Sequence, residues 1–224
     1  IANFLFLIDY AARLLRPVSI VARVGDEGMA MIKAVYPEPA TALTPEAAAM
    51  HTRPAMPSRE VAHRGKSEVV LAVDISTLVA LARSHDGMIE FLAQVGDFVA
   101  ADEPLFVLHG GAMAIADHAV RSTVAFGPER TLEQDPMFAF RIIVDIGLKA
   151  LSPAINDPTT AVLALDQVHR LLRMVGRRRL RGEVILDVSG QPRLIFRTPN
   201  WEDYVQVACS EIRACGTSNL QVVR

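Results

Sequence analysis

The chain has 224 residues, 51% of them apolar, and a formal net charge of −2. That length can bury a sizeable core in one large or two small domains, and the near-neutral balance excludes a global field drawing it to nucleic acid. Two cysteines, Cys209 and Cys215, make neither a disulfide framework nor a CxxC metal signature, so a reducing compartment is the default.

The opening stretch, IANFLFLIDYAARLLRP, starts with an apolar burst from Phe4 to Ile8 and then keeps Phe4, Ile8, Ala11 and Leu15 at helical spacing. The burst is far shorter than the ~20 residues of a membrane span. Arg13, Arg16 and Arg23 follow it in the positive-inside sense. Two readings stay open: an amphipathic core helix, or the cytoplasmic exit of an upstream span, with residues 1–16 projecting from the body. The chain begins with Ile and reads as a fragment or trimmed product. Residues 1–36 are expected to form a juxtamembrane helical segment, and residues 37–64, with five prolines and little periodicity, a linker.

From residue 65 the period changes. EVVLAVD and MIEFLA read as strands, STLVALARSH as a helical turn between them, and VGDFVAADEPLFVLHGG as a turn followed by a strand. Residues 65–111 are thus a small β-rich, sandwich-like module. Residues 112–224 read as a helical module: two long apolar helices, a hairpin about Ser189-Gly190, and a last helix capped by Asn200. The fold class expected is α+β, the small barrel-sandwich-like module packed on the helical one.

ALSPAINDPTTAVLAL joins the two long helices. Ser152-Pro153 steers the chain out of the α region and stops the first. Asp157-Pro158 starts the second, its carboxylate accepting from free N–H groups while proline presets φ; Asp135-Pro136 repeats that arrangement. Asn156 is not required by this account, and as a buried amide it would need partners. On the first helix Arg141, Asp145 and Lys149 fall at i, i+4 and i+8, a solvated charge ladder or a polar seam. Arg130, Asp135, Arg141, Asp145, Asn156, Asp157 and Thr160 are the candidate polar cluster. An assembly or regulatory role and a hydrolase-like enzyme with a site near Asn156 and Asp157 are rival functions, the first preferred.

No GxSxG, HExxH, P-loop or GxGxxG motif occurs, and the six histidines lack ligand spacing, so no catalytic residue, metal or cofactor is assigned. RLLRMVGRRRLRG closes a helix with cations suited to its negative pole, with an anionic-headgroup contact as the functional alternative. The positive mean hydropathy and the two apolar helices point to a homo-oligomer.

GDFVAADEPLFVL resembles the second half of a biotinyl/lipoyl-type barrel-sandwich, but no lysine lies between Lys66 and Lys149 to carry such a group. A longer resemblance runs through FLFLIDYAARLLRPVSIVARV, SEVVLAVDISTLVALA, VGDFVAADEPLF, FGPERTLEQDP, DIGLKALSPAINDPTTA and TPNWEDYVQVA. These stretches resemble the bacterial predicted membrane proteins of domain-of-unknown-function family 2254. Glu68 stands where that family usually has glycine after the serine. The resemblance implies transmembrane helices N-terminal to Ile1, a bacterial inner-membrane location, and a cytosolic region comprising everything here.

Overall fold

A computed structural model describes residue 3 and residues 16–40, 56–217 and 219–223. Phe4 to Leu15, on which the projecting-helix expectation rests, lie outside the described residues. The chain divides into two compact units. A helical unit comprises Ile1–Ala40, Pro136–Leu180 and Pro199–Arg224, and a sheet unit comprises Thr41–Asp135 and Arg181–Thr198. The class is α+β.

In the helical unit, α1 (Pro17–Val35) begins with proline in its first turn, where no hydrogen bond is lost. It packs on α4 (Pro136–Leu151) and α5 (Pro158–Val175); α6 (Trp201–Gly216) packs on α4 and α5 and is followed by the short α7 (Leu220–Val223). Although α4 is apolar nearly all round in sequence, only Ala139, Phe140, Ile143, Val144, Gly147 and Ala150 form its fully buried stripe beyond Pro136, at the i, i+3, i+4 spacing of one helix face. Ile142, Ile146 and Leu148 are half-buried. Phe140 packs on Tyr204 with ring centroids 5.3 Å apart, and the Tyr204 hydroxyl lies 3.0 Å from that of Tyr36. Asn200 caps α6 as expected, and Asp203 reciprocates in a capping box.

In the sheet unit, β1 (Ser58–Ala62), β5 (Pro104–Gly110), β3 (Gly87–Phe91), β8 (Pro192–Phe196) and β7 (Val184–Leu186) form one sheet in that order. A second sheet runs β4 (Phe98–Val99), β2 (Glu68–Val73), β6 (Val124–Gly127). Helices α2 (Ile75–Ser84) and α3 (Asp117–Arg121) complete it. Both sheets contribute to one core: Val70, Val73, Val99 and Val124 from the smaller, Ile89, Phe91, Phe106, Leu108, Leu194 and Phe196 from the larger, and Leu78 and Ala82 from α2. The unit is therefore sandwich-like. β1 arises inside the stretch read as a linker, because its alternating residues pair antiparallel with β5 from Ser58↔His109 onward. The hairpin, read with the helices that flank it, supplies β8 to the larger sheet, where it runs parallel to β3 with Ile89 opposite Leu194. Glu68 sits in regular pairing with Val99, and the irregularity of β2 falls between Val70 and Ala72.

Asp74 starts α2 and accepts from the Ser76 hydroxyl (2.6 Å), the Thr77 amide (3.0 Å) and the Thr77 hydroxyl (2.7 Å). These bonds, the Ser76 hydroxyl foremost, lower its pKa from 3.8 to about 2. A carboxylate whose pKa falls on folding contributes stability above its unfolded pKa, and that contribution is lost as the solution acidifies. Asp74→Asn is therefore expected to match the parent near pH 2 and to be less stable than it above about pH 4. Urea titrations across that interval check this; a constant gap between the two proteins would reject it.

Candidate functional site

The seven candidate residues divide between the units. Arg130 and Asp135 belong to the sheet unit; Arg141, Asp145, Asn156, Asp157 and Thr160 belong to the helical unit.

At the corner, α4 ends at Leu151 and the Ser152 hydroxyl donates to the Lys149 carbonyl at 2.7 Å. One further turn follows, in which the amides of Ile155 and Asn156 both donate to the Ser152 carbonyl, at 3.1 and 2.8 Å. Asn156 then adopts φ +46°, and the Asp157 amide donates back to the Ala150 carbonyl at 2.8 Å. Asn156 is exposed, so the buried-amide reading is corrected: asparagine is there because it tolerates the left-handed conformation that turns the chain. Asp157 accepts from the Thr160 amide at 3.1 Å and the Thr160 hydroxyl at 2.5 Å, and these bonds hold its carboxyl below the usual range. The corner is built as a helix stop, a left-handed step and a cap.

Two outcomes follow for thermal unfolding. Asp157→Ala should lower the melting temperature, with Asp157→Ser and Asp157→Asn recovering most of the loss, since either side chain accepts the same amide bond. Asn156→Ala should cost up to about 1 kcal/mol, because alanine keeps a Cβ in the left-handed region without the side-chain amide that eases asparagine into it, whereas Asn156→Gly, with no Cβ, should cost nothing there. Equal melting of the alanine and glycine variants at position 156 would refute the conformational role.

Arg141 donates from Nε to Asp145 Oδ1 at 2.8 Å and from Nη2 to Glu211 Oε2 of α6 at 3.2 Å, so the ladder on α4 becomes a bridge between two helices. The Glu211 and Asp145 bonds raise the Arg141 pKa, and the same pairing lowers that of Glu211. These side chains bond one another and not the corner. Glu211 lies 70 residues from Arg141, and no local spacing announces it.

In the sheet unit Arg130 donates to Asp135 Oδ2 from Nε at 2.9 Å and from Nη2 at 2.6 Å, with the carboxylate side chain only 4% exposed. The pair sits on Gly96 of the Gly-Asp turn. Gln134 on the same loop reaches β2, its Oε1 accepting from the Val73 amide at 3.1 Å. Thus VGDFVAADEPLF and FGPERTLEQDP, separate in sequence, converge on one turn. Beside it lies a depression of about 380 Å³ lined by Leu92, Ala93, Asp97, Phe98, Val99, Glu103 and Pro104.

Three further polar groupings were invisible in the sequence. Arg59 of β1 donates to Asp117 Oδ1 at 2.6 Å and to the Met113 carbonyl at 2.8 Å, and that pairing depresses the Asp117 pKa. Arg193 of β8 holds Asp187 at 2.8 Å and Asp86 at 3.0 Å, tying the hairpin to the start of β3; Asp187 is driven below the usual carboxylate range, chiefly by Arg193. His109 of β5 places Nε2 3.3 Å from Glu90 of β3, while its buried Nδ1 has no partner. Among the described residues no group of three or more His, Cys, Asp or Glu side chains is placed to hold a metal ion. No described helix is long and apolar enough to cross a membrane.

A family model described as Predicted membrane protein (DUF2254) matches residues 1–224. Uncharacterised proteins of Mycobacterium bovis and Mycobacterium tuberculosis are each 29% identical to the chain over 227 residues, covering 97% of it. The chain spans 42% of the length of these relatives. No solved structure matches.

Proposed function

The chain belongs to the predicted membrane protein family DUF2254, and from that premise we propose that it is the cytosolic region of a bacterial inner-membrane protein, serving assembly, gating or regulation of the membrane part. The observation that carries this reading is the match of that family's model across all 224 residues, in a chain spanning 42% of its longer relatives. The apolar burst Phe4–Ile8 with Arg13, Arg16 and Arg23 after it supports the cytosolic side. The polar groups at the corner are engaged in capping and turning, which favours a scaffold over a hydrolytic site there.

Both cysteines are exposed and serve as native reporters of side. In spheroplasts making the intact protein, a membrane-impermeant maleimide should label Cys209 and Cys215 only after permeabilisation. Labelling before permeabilisation places this region on the outer side, and recovery of the intact protein in the soluble fraction removes the membrane reading altogether. Self-association belongs to the same proposal, supported by exposed Phe98, Leu186 and Val188. A strict monomer by light scattering of the intact protein in detergent would count against it.

A further inference from the structure

The helical unit has two ends of different character. Gly25 of α1 lies against Gln167 of α5, and Gly28 against Leu171 of α5 and Ala139 of α4. Asp26 accepts from Arg170 at 2.9 Å, and Pro39, beyond α1, bridges to Arg178, beyond α5. Positions on α1 and α5 advance together, so the two helices run parallel and their first turns lie at one end. The corner begins α5, so it lies at that end too. Gly147 of α4 lies against Ile212 of α6, and Gly216 near Leu151, which brings the last turn of α6 to the same place.

The surface of this end is mixed in a particular way. Val18 is 44% and Ile155 49% exposed, with Pro153 and Ala154 exposed beside Ile155. Arg16, Lys149 and Arg213 are exposed cations. The neighbouring carboxylates are committed: Asp157 to its cap, Asp145 and Glu211 to Arg141. Apolar tips beside exposed cations suit the boundary between headgroups and acyl chains. Chain length adds an independent constraint. Eight chain steps separate Ile8 from Arg16. They reach at most about 28 Å fully extended and about 12 Å as a helix. Wherever Phe4–Ile8 enters a bilayer, Arg16 lies within that reach of its surface, and within about 12 Å if the intervening stretch is helical.

We propose that the end of the helical unit formed by Arg16, Val18, Lys149, Pro153–Ile155 and Arg213 rests on the lipid headgroup layer. Val18 and Ile155 enter the interface, and the cations meet anionic headgroups. The proposal rests on the membrane reading above and adds which surface faces the lipid. It also decides against the more basic end. Arg177, Arg178, Arg179 and Trp201 sit at the far end of α5, whose 18 residues span about 27 Å. There Arg178 donates to the Pro37 carbonyl and Arg179 to Glu38.

The test places a nitroxide at Ile155→Cys or, as a control, at Arg177→Cys, in the chain carrying Cys209→Ser and Cys215→Ser. Vesicles of phosphatidylglycerol and phosphatidylethanolamine are added. On binding, the label at 155 should gain accessibility to oxygen and lose it to an aqueous nickel chelate, while the label at 177 stays aqueous. Ile155→Asp combined with Lys149→Glu should weaken vesicle binding about tenfold or more with unfolding unchanged. If vesicle-bound protein leaves 155 aqueous, or protects 177 instead, the proposal falls while the membrane reading stands. Loss of both oxygen and nickel accessibility at 155 means a protein–protein contact covers this end, and also overturns it. Chain that never binds vesicles defeats the proposal as well; thiol labelling and fractionation of the intact protein decide the membrane reading separately.

Discussion

Arg130→Met is expected to destabilise the protein by about 2–4 kcal/mol, because it removes the guanidinium from a carboxylate that folding has taken out of water. Asp135 is 4% exposed by side chain and takes two bonds from Arg130, at 2.9 and 2.6 Å. Methionine keeps most of the aliphatic bulk, so the loss reports the charge more than the packing. Gly96→Ala should reproduce much of the effect from the other side. A Cβ there would sit 2.6 Å from Asp135 Oδ2 and 2.8 Å from Arg130 Nη2, on a residue whose φ of +94° no L side chain adopts easily. Because both changes act on one pair, the double variant should lose less than the sum of the singles. Urea unfolding of the three proteins measures this coupling; strict additivity would mean that Gly96 and the ion pair act independently.

Gly87→Ala is expected to be still more damaging, costing about 3 kcal/mol or more, beyond the usual range for overpacking. Gly87 opens β3 opposite Gly110, where the chain after β5 crosses directly above it. A Cβ would overlap the backbone nitrogen of Ala112 and stand 2.6 Å from its Cβ and 2.7 Å from the His109 carbonyl oxygen. Backbone cannot rotate aside as a side chain can, so relief requires moving β3 away from β5 inside a close-packed core. Gly182→Ala, where nothing lies within 4 Å, is the matched control and should change stability by less than about 0.5 kcal/mol. Denaturant midpoints for the two variants check this. Similar midpoints would show that the crossing at Gly87 yields more readily than its geometry implies.

The proline-led starts of α4 and α5, the Asp157 and Asn200 caps, the stop at Ser152-Pro153 and the hairpin about Gly190 were all legible in the sequence. Each depends on groups within a few residues of one another, where spacing alone decides which bonds can form. The strands EVVLAVD and MIEFLA were legible for the same reason, through period and composition. The family was legible too, because ALSPAINDPTTA and its companion stretches are long enough to be distinctive. Tertiary structure alone decided the rest. Residues 58–62 became a strand only because β5 offered them an edge, and β8 joined β3 in parallel across more than a hundred residues of chain. Glu211, not the corner, became the second partner of Arg141, and Gly96 received the Arg130–Asp135 pair. Contacts between distant segments depend on how loops close around a shared core, and nothing in local spacing records that closure. The corner shows both levels at once: its cap could be read from Asp157-Pro158, but Asn156 acquired its reason only when the backbone was seen to turn through φ +46° there.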